Sequence, residues 1–405
     1  MKQIEVRLRW SPTTERVVGT LAHPDRGPIA FEYDEAFLAE PLALSPWKVP
    51  AQPGLVEHVD RAFGPLFGLF DDSLPDGWGL LLMDRWFRAT GIEPGSLSPL
   101  DRLAYLGTRT MGALTYHPPR EPDDDDTPSR IDLSELAAQA EQLAGSDDDV
   151  LPELRRAGGS PGGARPKVVV GIRGNEVLSG VDELPDGWEH WLVKFAGGPQ
   201  TDDEGALEHA YMQMAAAAGL AVPRHRLFTK RRHFGTLRFD RVGARERRHM
   251  HTLGGLLHSD HRLPSCDYDL LLRVARGLTH DARAIAECLR RMLFNIVAHN
   301  RDDHVKNFAF LMDPDGQWTL SPAYDLVFAH GPGGEHSMTI DGEAKRPTLD
   351  HVMRLAARHG VGRADARAMV EQVHDAVAGW PAIAKASGAS AKRARAIATK
   401  HVRLA

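Results

Sequence analysis

The chain has 405 residues, 42% hydrophobic and 26% charged, and its length predicts two or three lobes with a cleft between them rather than one compact core. No stretch is apolar enough to span a bilayer, and two cysteines are too few for a disulfide framework or a cysteine-rich zinc module, which favours a reducing cytoplasm. The formal net charge of −6 argues against sequence-independent binding of nucleic acid, so contact with DNA would require a partner protein.

The first 120 residues predict an N-terminal α/β subdomain. Apolar and polar residues alternate from Ile4 to Trp10, and ERVVGTLAH and PIAFEYD are typical of two further strands. Two helical segments, LPDGWGLLLMDRWFRATG and SPLDRLAYLG, follow before TMGALTY returns to a strand. The like-charge block EPDDDDT then predicts a solvated acidic linker at 121–130.

Residues 131–240 predict a second α/β region with the features of a nucleotide cleft. The helix LSELAAQAEQLAG precedes a glycine-rich turn at 158–163 and the strands KVVVGIRG and HWLVKFAG. The helix DDEGALEHAYMQMAAAAGL follows, and RHRLFTK and FGTLRFDR read as two more strands.

Long amphipathic helices dominate residues 241–405, which predict a mainly helical lobe. The exception is Asp-Pro-Asp-Gly at 313–316, a turn signal between KNFAFLMD and QWTL that predicts a short hairpin. The predicted fold class is therefore α+β, with an α/β N-terminal lobe and a helical C-terminal lobe.

The segment HNRDDHVKNFAFLMDPDGQWTLSPAYDL carries the strongest chemical signal. Phosphoryl transfer from ATP needs a carboxylate that orients the attacking hydroxyl and oxygen ligands that hold Mg²⁺ on the phosphates. Asp302, Asn307 and Asp325 supply these groups, and the hairpin would return Asp325 to the vicinity of Asn307. The alternative is that Asp302 and Asp303 only cap a helix end or cover a solvated turn.

The pattern D-x-H-x-x-N at Asp302, His304 and Asn307, followed by AYD ending in Asp325, resembles the HipA family of type II toxin–antitoxin kinases. LPDGWGLLLMDRW and DRLAYLGTRTMGAL resemble its N-terminal subdomain, SPGGARPK its glycine-rich loop, LVKF its ATP-lysine strand and RFDR its hinge. The resemblance implies a bilobal protein-kinase-like fold, a serine/threonine kinase activity, and ATP and Mg²⁺ as cofactors. It also implies a small helix-turn-helix antitoxin as partner, DNA contact only through that antitoxin, and a protein substrate such as an aminoacyl-tRNA synthetase.

The resemblance also implies a role for individual residues. Asp302 would be the catalytic carboxylate, Asn307 and Asp325 the metal ligands, and Ser160 the site of autophosphorylation. Lys194 would contact the α- and β-phosphates, with Glu208 orienting it. The remaining nucleotide-binding positions would be Gly162, Gly163, Ala164, Arg238, Phe239, Asp240 and His304.

Several of these residues also have plainer interpretations. Lys194 would be a solvated edge residue and Glu208 an ordinary surface residue of its helix. Asp240 would be a helix or turn cap, and His304 a hydrogen-bonded neighbour of Asp302. Because Pro161 follows Ser160 directly, the flexibility that autophosphorylation requires of the loop stays open.

Two other classes of protein remain as alternatives. GGSPG satisfies the pattern of a serine hydrolase with Ser160 as nucleophile, but a nucleophile elbow has a strand before it and a helix after it, the reverse of the order here. A pseudokinase scaffold for a DNA-binding antitoxin is the second alternative.

A histidine group in RRHMHTLGGLLHSDH suggests zinc, but it lacks the spacing of known zinc motifs and is more typical of a polar surface or a substrate-facing loop. Its members are His249, His251, His258 and His261.

Overall fold

The computed structural model describes residues 1–119, 129–145, 154, 162–179, 182–196, 203–228 and 233–404. The strands in these ranges are β1 Lys2–Ser11, β2 Thr14–His23, β3 Ala30–Tyr33, β4 Leu55–Glu57, β5 Leu114–His117, β6 Lys167–Arg173, β7 Glu176–Leu178, β8 Glu189–Lys194, β9 His225–Phe228, β10 His233–Leu237, β11 Arg241–Val242, β12 Glu246–Arg247, β13 His249–Thr252, β14 Ala309–Met312 and β15 Trp318–Leu320.

The helices are α1 Glu35–Ala39, α2 Gly68–Asp71, α3 Gly77–Ala89, α4 Pro99–Leu106, α5 Leu133–Gly145, α6 Glu204–Ala217, α7 Leu253–Leu257, α8 Tyr268–Thr279, α9 Ala282–Val297, α10 Leu349–Arg358, α11 Arg363–Ala378, α12 Trp380–Ser387 and α13 Ala391–Ala398. Within the described ranges, no helix combines the length and the apolar character that a membrane span requires.

An antiparallel sheet in the order β4-β3-β2-β1-β5 forms the N-terminal part of the chain. The predicted alternation in β1 is confirmed, because every second side chain from Ile4 to Trp10 is buried. The side chains of a strand alternate between its two faces, so this pattern buries one face of the sheet against the rest of the protein.

A second sheet, in the order β7-β6-β8-β10-β9, carries Lys194 as the last residue of β8. Helix α6 packs against β9 and β10. Trp78 and Leu82 of helix α3 belong to the apolar core of this sheet, so an N-terminal helix supports the predicted nucleotide lobe directly. The strand predicted over FGTLRFDR ends early, because β10 stops at Leu237.

The C-terminal part is mainly helical, as predicted, and the predicted hairpin is present as β14 and β15, with Phe310 opposite Leu320. The sequence did not predict that β13 would pair with β14 to make a three-stranded sheet. His249 and His251 of β13 are buried instead of lying on a polar surface. Burial is tolerated because both rings have polar partners. His249 contacts the carbonyl oxygen of Leu44 at 3.2 Å, and His251 contacts the carboxylate of Asp72 at 2.6 Å.

The N-terminal sheet and the C-terminal helices share one apolar core, which contains side chains from β1, α6, α8 and α9. Asp72 reinforces this junction by accepting hydrogen bonds from the backbone and side chain of Thr252, each at 2.7 Å. Gly68 and Gly255 approach so closely that a Cβ atom on Gly68 would lie 2.1 Å from the carbonyl oxygen of Gly255. The N-terminal subdomain is therefore packed against the rest of the chain.

A buried ion cluster connects the end of the second sheet to the N-terminal subdomain. The carboxylate of Asp240 is fully buried and accepts hydrogen bonds from Arg238, Arg241 and the amide of Gly112, at 2.7, 2.7 and 2.8 Å. Burial by itself would raise the pKa of Asp240, but the two guanidinium groups outweigh it and lower that pKa. Asp240 is therefore ionised and acts as a structural link.

Replacing Asp240 by Asn is expected to lower the free energy of unfolding by about 3–5 kcal/mol, because two buried guanidinium groups lose their counter-charge. Chemical denaturation followed by tryptophan fluorescence measures this. Asp186→Asn is the control, since that carboxylate is exposed and pairs with Arg245 at 3.3 Å. Equal loss of stability in the two variants would contradict the structural role of Asp240.

Candidate active site

Lys194 lies at the centre of the site. Its ammonium group donates to Oε1 of Glu208 at 2.6 Å and to Oδ1 of Asp325 at 2.5 Å, and the residue is only 7% exposed. Burial would lower the pKa of Lys194, but the two carboxylates outweigh it and raise that pKa. The lysine is therefore a fixed positive charge held between the two lobes, and not a solvated edge residue.

Glu208, on the buried face of α6, has a second cationic partner. Its Oε2 atom accepts from Arg165 at 2.8 Å, and Arg165 also donates to the carbonyl oxygen of Phe195 at 2.7 Å. Glu208 thus makes the contact with Lys194 that an orienting residue requires. It is buried and is not an ordinary surface residue of its helix. Arg165 follows the glycine-rich stretch and was not singled out in the sequence.

The segment after α9 arranges Asp302, His304 and Asn307 around one turn. The side-chain amide of Asn307 donates to the carbonyl oxygen of Asp302 at 2.7 Å, and Nδ1 of His304 accepts from the amide of Lys306 at 3.2 Å. Nε2 of His304 lies 3.8 Å from the Asp302 carboxylate. His304 therefore orders the turn that carries Asp302.

The Asp302 carboxylate is accessible, with 58% of its side chain exposed. Desolvation in the cleft raises its pKa; the neighbouring His304 opposes this shift and the charge of Asp325 adds to it. A carboxylate with a raised pKa holds a transferred proton more readily than an ordinary one.

Asp325 follows the hairpin and adopts a left-handed backbone conformation, with φ of 56°, which is uncommon for a residue other than glycine. The positive charge of Lys194 lowers the pKa of Asp325, so its carboxylate is ionised. Asn307 and Tyr324, from the two sides of the hairpin, line the same small cavity of about 10 Å³. The hairpin therefore returns the chain to the turn of Asp302, as the sequence predicted.

The end of the glycine-rich loop is described from Gly162 onward, and Ser160 lies outside the described residues. Gly163 is one of the predicted nucleotide-binding residues, and its amide has a partner in the structure. This amide donates to the carboxylate of Asp76, from the N-terminal subdomain. Asp76 precedes α3, whose packing under the second sheet brings it to the loop.

Lys167 is a site residue that the sequence analysis missed. It lies opposite Lys194 in the pairing of β6 with β8, is 3% exposed, and donates to the carbonyl oxygen of Gly162. Burial, and then the charge of Lys194, lowers the pKa of Lys167 to about 8. The signal was available, because a lysine in the apolar strand KVVVG is as unusual as Lys194 in its own strand.

Phe239, one of the predicted nucleotide-binding residues in the hinge motif RFDR, has its ring beside this site. Its ring lies 5.3 Å from that of Tyr324, whose hydroxyl donates to the carbonyl oxygen of Lys306 at 2.6 Å. The side chains of Arg238 and Asp240 are engaged in the buried ion cluster, so their predicted contact with a nucleotide would have to be made by backbone groups. Tyr324 belongs to the AYD motif, but nothing in the sequence indicated its contact with Phe239.

The residues present fit a magnesium ion that is bound together with phosphate groups. Across the described ranges, no cluster of three or more His, Cys, Asp or Glu side chains has the arrangement of a metal site. Asp325 and Asn307 offer two oxygen donors, and Mg²⁺ usually takes one or two protein ligands and completes its shell with phosphates and water. One member of the histidine group His249, His251, His258 and His261 lies at this site. It is His261, whose ring lies 5.4 Å from that of His304.

Comparison with known proteins gives two matching family models, described as the HipA-like C-terminal domain over residues 159–380 and the HipA N-terminal domain over residues 13–117. A relative named "Putative kinase Y4dM" from Sinorhizobium fredii is 25% identical over 353 residues, covering 80% of this chain and 76% of its own.

HipA of Shewanella oneidensis MR-1, solved with HipB and operator DNA, superimposes with a TM-score of 0.72 at 18% identity, covering 98% of this chain and 94% of that one. At this identity the superposition demonstrates the shared fold, which confirms the predicted mixed α/β architecture. The family models supply the relationship itself, because together they match most of the sequence. The chain belongs to the HipA family of toxin–antitoxin kinase-like proteins.

Proposed function

We propose that this chain is an ATP- and Mg²⁺-dependent serine/threonine protein kinase, the toxin of a toxin–antitoxin pair. The observation that carries the proposal is the contact of Lys194 with both Glu208 and Asp325, beside an accessible Asp302. Kinases require a lysine paired with a helix carboxylate, a metal-binding aspartate and a catalytic aspartate, and these four residues have the matching chemistry.

Each residue has a distinct part in the proposed transfer. Asp302 accepts the proton of the substrate hydroxyl as the hydroxyl oxygen attacks the γ-phosphorus, and ADP leaves with the bridging oxygen. Asp325 and Asn307 would hold Mg²⁺, which would neutralise charge on the phosphates. Lys194 would contact the phosphates while Glu208 keeps it oriented, and Lys167 would add a second cation opposite it.

The opposite pKa shifts of the two aspartates support this division of roles. Asp325 is held ionised by Lys194, as a metal ligand must be, whereas the pKa of Asp302 is raised, which suits a proton acceptor. A serine hydrolase is disfavoured, since strand β6 follows the glycine-rich stretch where a helix would be required.

The proposed partner is a small helix-turn-helix antitoxin, and contact with DNA would occur through it. The support is that the solved HipA relative is in complex with HipB and operator DNA. We further propose that the chain phosphorylates a protein, an aminoacyl-tRNA synthetase being one possible substrate, and autophosphorylates at Ser160.

Asp302→Asn is expected to reduce phosphate transfer by at least about a hundredfold while leaving ATP affinity nearly unchanged, because the proton acceptor is lost but no phosphate contact is. Asp325→Asn is expected to weaken Mg²⁺-dependent ATP binding as well. Transfer from radiolabelled ATP and calorimetric titration with Mg-ATP measure the two effects. Asp315→Asn, in the exposed turn of the hairpin, is the control. Full activity of both site variants would exclude this mechanism.

Mass spectrometry of the purified protein tests the activity and its autoregulatory site together. We expect phosphate on Ser160 in the wild-type protein and none in Asp302→Asn, because the modification depends on the catalytic carboxylate. Phosphate on Ser160 in both proteins would point to another kinase. If neither protein carried phosphate on Ser160, an assay of transfer to a test protein would decide whether the chain has kinase activity.

Glu208→Gln is expected to lower kcat/KM for ATP by about tenfold, since the ion pair that orients Lys194 is replaced by a weaker hydrogen bond to an uncharged amide oxygen. Steady-state kinetics with varied ATP measures this. Glu204→Gln, on the same helix and 3.6 Å from Arg165, controls for loss of charge on α6. If Glu208→Gln and Glu204→Gln had the same kcat/KM for ATP, orientation of Lys194 by Glu208 would be ruled out.

A further inference from the structure

The glycine-rich loop is held at its end by a segment of the N-terminal subdomain. The amide of Gly163 donates to Oδ1 of Asp76, and the carbonyl oxygen of Gly163 accepts from the amide of Trp78 at 3.1 Å. The indole of Trp78 donates to the carbonyl oxygen of Lys167 at 3.0 Å. Both backbone polar groups of Gly163 are thus fixed by residues nearly ninety positions earlier in the chain.

The direction of the Asp76 side chain is unusual for its position. Asp76 is the N-cap residue of α3, where an aspartate commonly accepts an amide hydrogen bond from the first turn of its own helix. Here the carboxylate makes no such bond and reaches across to the loop instead. The carboxylate of Asp76 therefore accepts a hydrogen bond from the loop and none from the first turn of α3.

The intervening Gly77 makes this close approach possible. Its φ is +45°, and a Cβ atom there would lie 2.6 Å from Cα of Ala164 and 2.7 Å from the carbonyl carbon of Gly163. Trp78, 2% exposed, anchors the start of α3 in the core of the second sheet. Asp76 and Gly77 therefore directly precede a residue that is fixed in the core of the second sheet.

The same carboxylate faces the segment that carries Asp302. Nζ of Lys306 lies 3.8 Å from Oδ2 of Asp76 and 3.7 Å from Oδ2 of Asp71. These longer separations are those of weak, partly solvated ion pairs, whereas the amide of Gly163 is in direct hydrogen-bond contact. The hydrogen bond to the loop is therefore the stronger function of Asp76.

We propose that Asp76 is a positioning residue for nucleotide binding: by accepting the Gly163 amide it fixes the end of the glycine-rich loop over the site of Lys167 and Lys194. It acts through the loop and does not touch the nucleotide. Removing the acceptor leaves the loop free to sample other conformations, so the cost of ordering it must be met when ATP binds. The expected effect on KM for ATP rests on the proposed ATP-dependent function. The expected effect on the Gly163 amide does not.

Hydrogen exchange of the full chain without nucleotide tests the structural part. Asp76→Ala is expected to speed exchange at the Gly163 amide by at least about tenfold, because its acceptor is gone. Asp76→Asn should stay close to wild type, since the amide oxygen of Asn can still accept. Asp84→Ala is the matched control, because Asp84 lies on the same helix and pairs with Arg102 at 2.6 Å within the N-terminal subdomain.

Kinetics with varied ATP test the consequence for binding. Asp76→Ala is expected to raise KM for ATP by about tenfold with a smaller change in kcat, and Asp76→Asn to restore KM. Unchanged exchange at Gly163 in Asp76→Ala would overturn the proposal. So would an Asn variant that exchanges as fast as the Ala variant, since charge toward Lys306 would then be the property that matters.

Should Asp76→Ala fail to fold, Gly77→Ala provides the second test. The added Cβ atom collides with the loop backbone and should also speed exchange at Gly163, and unchanged exchange there would equally overturn the proposal. If the wild-type protein transfers no phosphate, the proposed kinase activity fails while the exchange results still decide the contact between Asp76 and the loop.

Discussion

A charged lysine in a place with almost no solvent governs the organisation of this site. Removing an ammonium group from water costs several kcal/mol, and the cost is met only if opposite charges and hydrogen bonds replace the lost hydration. Lys194 finds both carboxylates it needs on different parts of the chain, Glu208 on α6 and Asp325 after the hairpin. Forming the site therefore requires that the sheet, the helix and the C-terminal segment be in place together.

The same electrostatic centre gives two neighbouring aspartates different properties. The charge of Lys194 lowers the pKa of Asp325, whereas desolvation raises the pKa of Asp302 and the negative charge of Asp325 adds to that rise. Paired acids whose environments separate their pKa values are a common way to obtain two roles from one residue type. The division depends on geometry, since the side chains are chemically identical.

The N-terminal subdomain is part of the frame of this site. It shares an apolar core with the C-terminal helices, contributes Trp78 to the core of the second sheet, and donates a hydrogen bond from the Gly112 amide to Asp240. Asp76 extends this support to the glycine-rich loop.

The sequence by itself determined the local elements and the chemical types of the main site residues. Alternation in β1, the Asp-Pro-Asp-Gly turn and a lysine in an apolar strand are signals carried by a few neighbouring residues, so they can be recognised without a fold. Only the tertiary structure decided which groups meet. Asp76 and Gly163, Lys167 and Lys194, and Phe239 and Tyr324 are far apart in the chain, and their contacts follow from packing. For the same reason the sequence could not show that the side chains of Arg238 and Asp240 form a buried ion cluster, because burial and partner charges are properties of the folded chain.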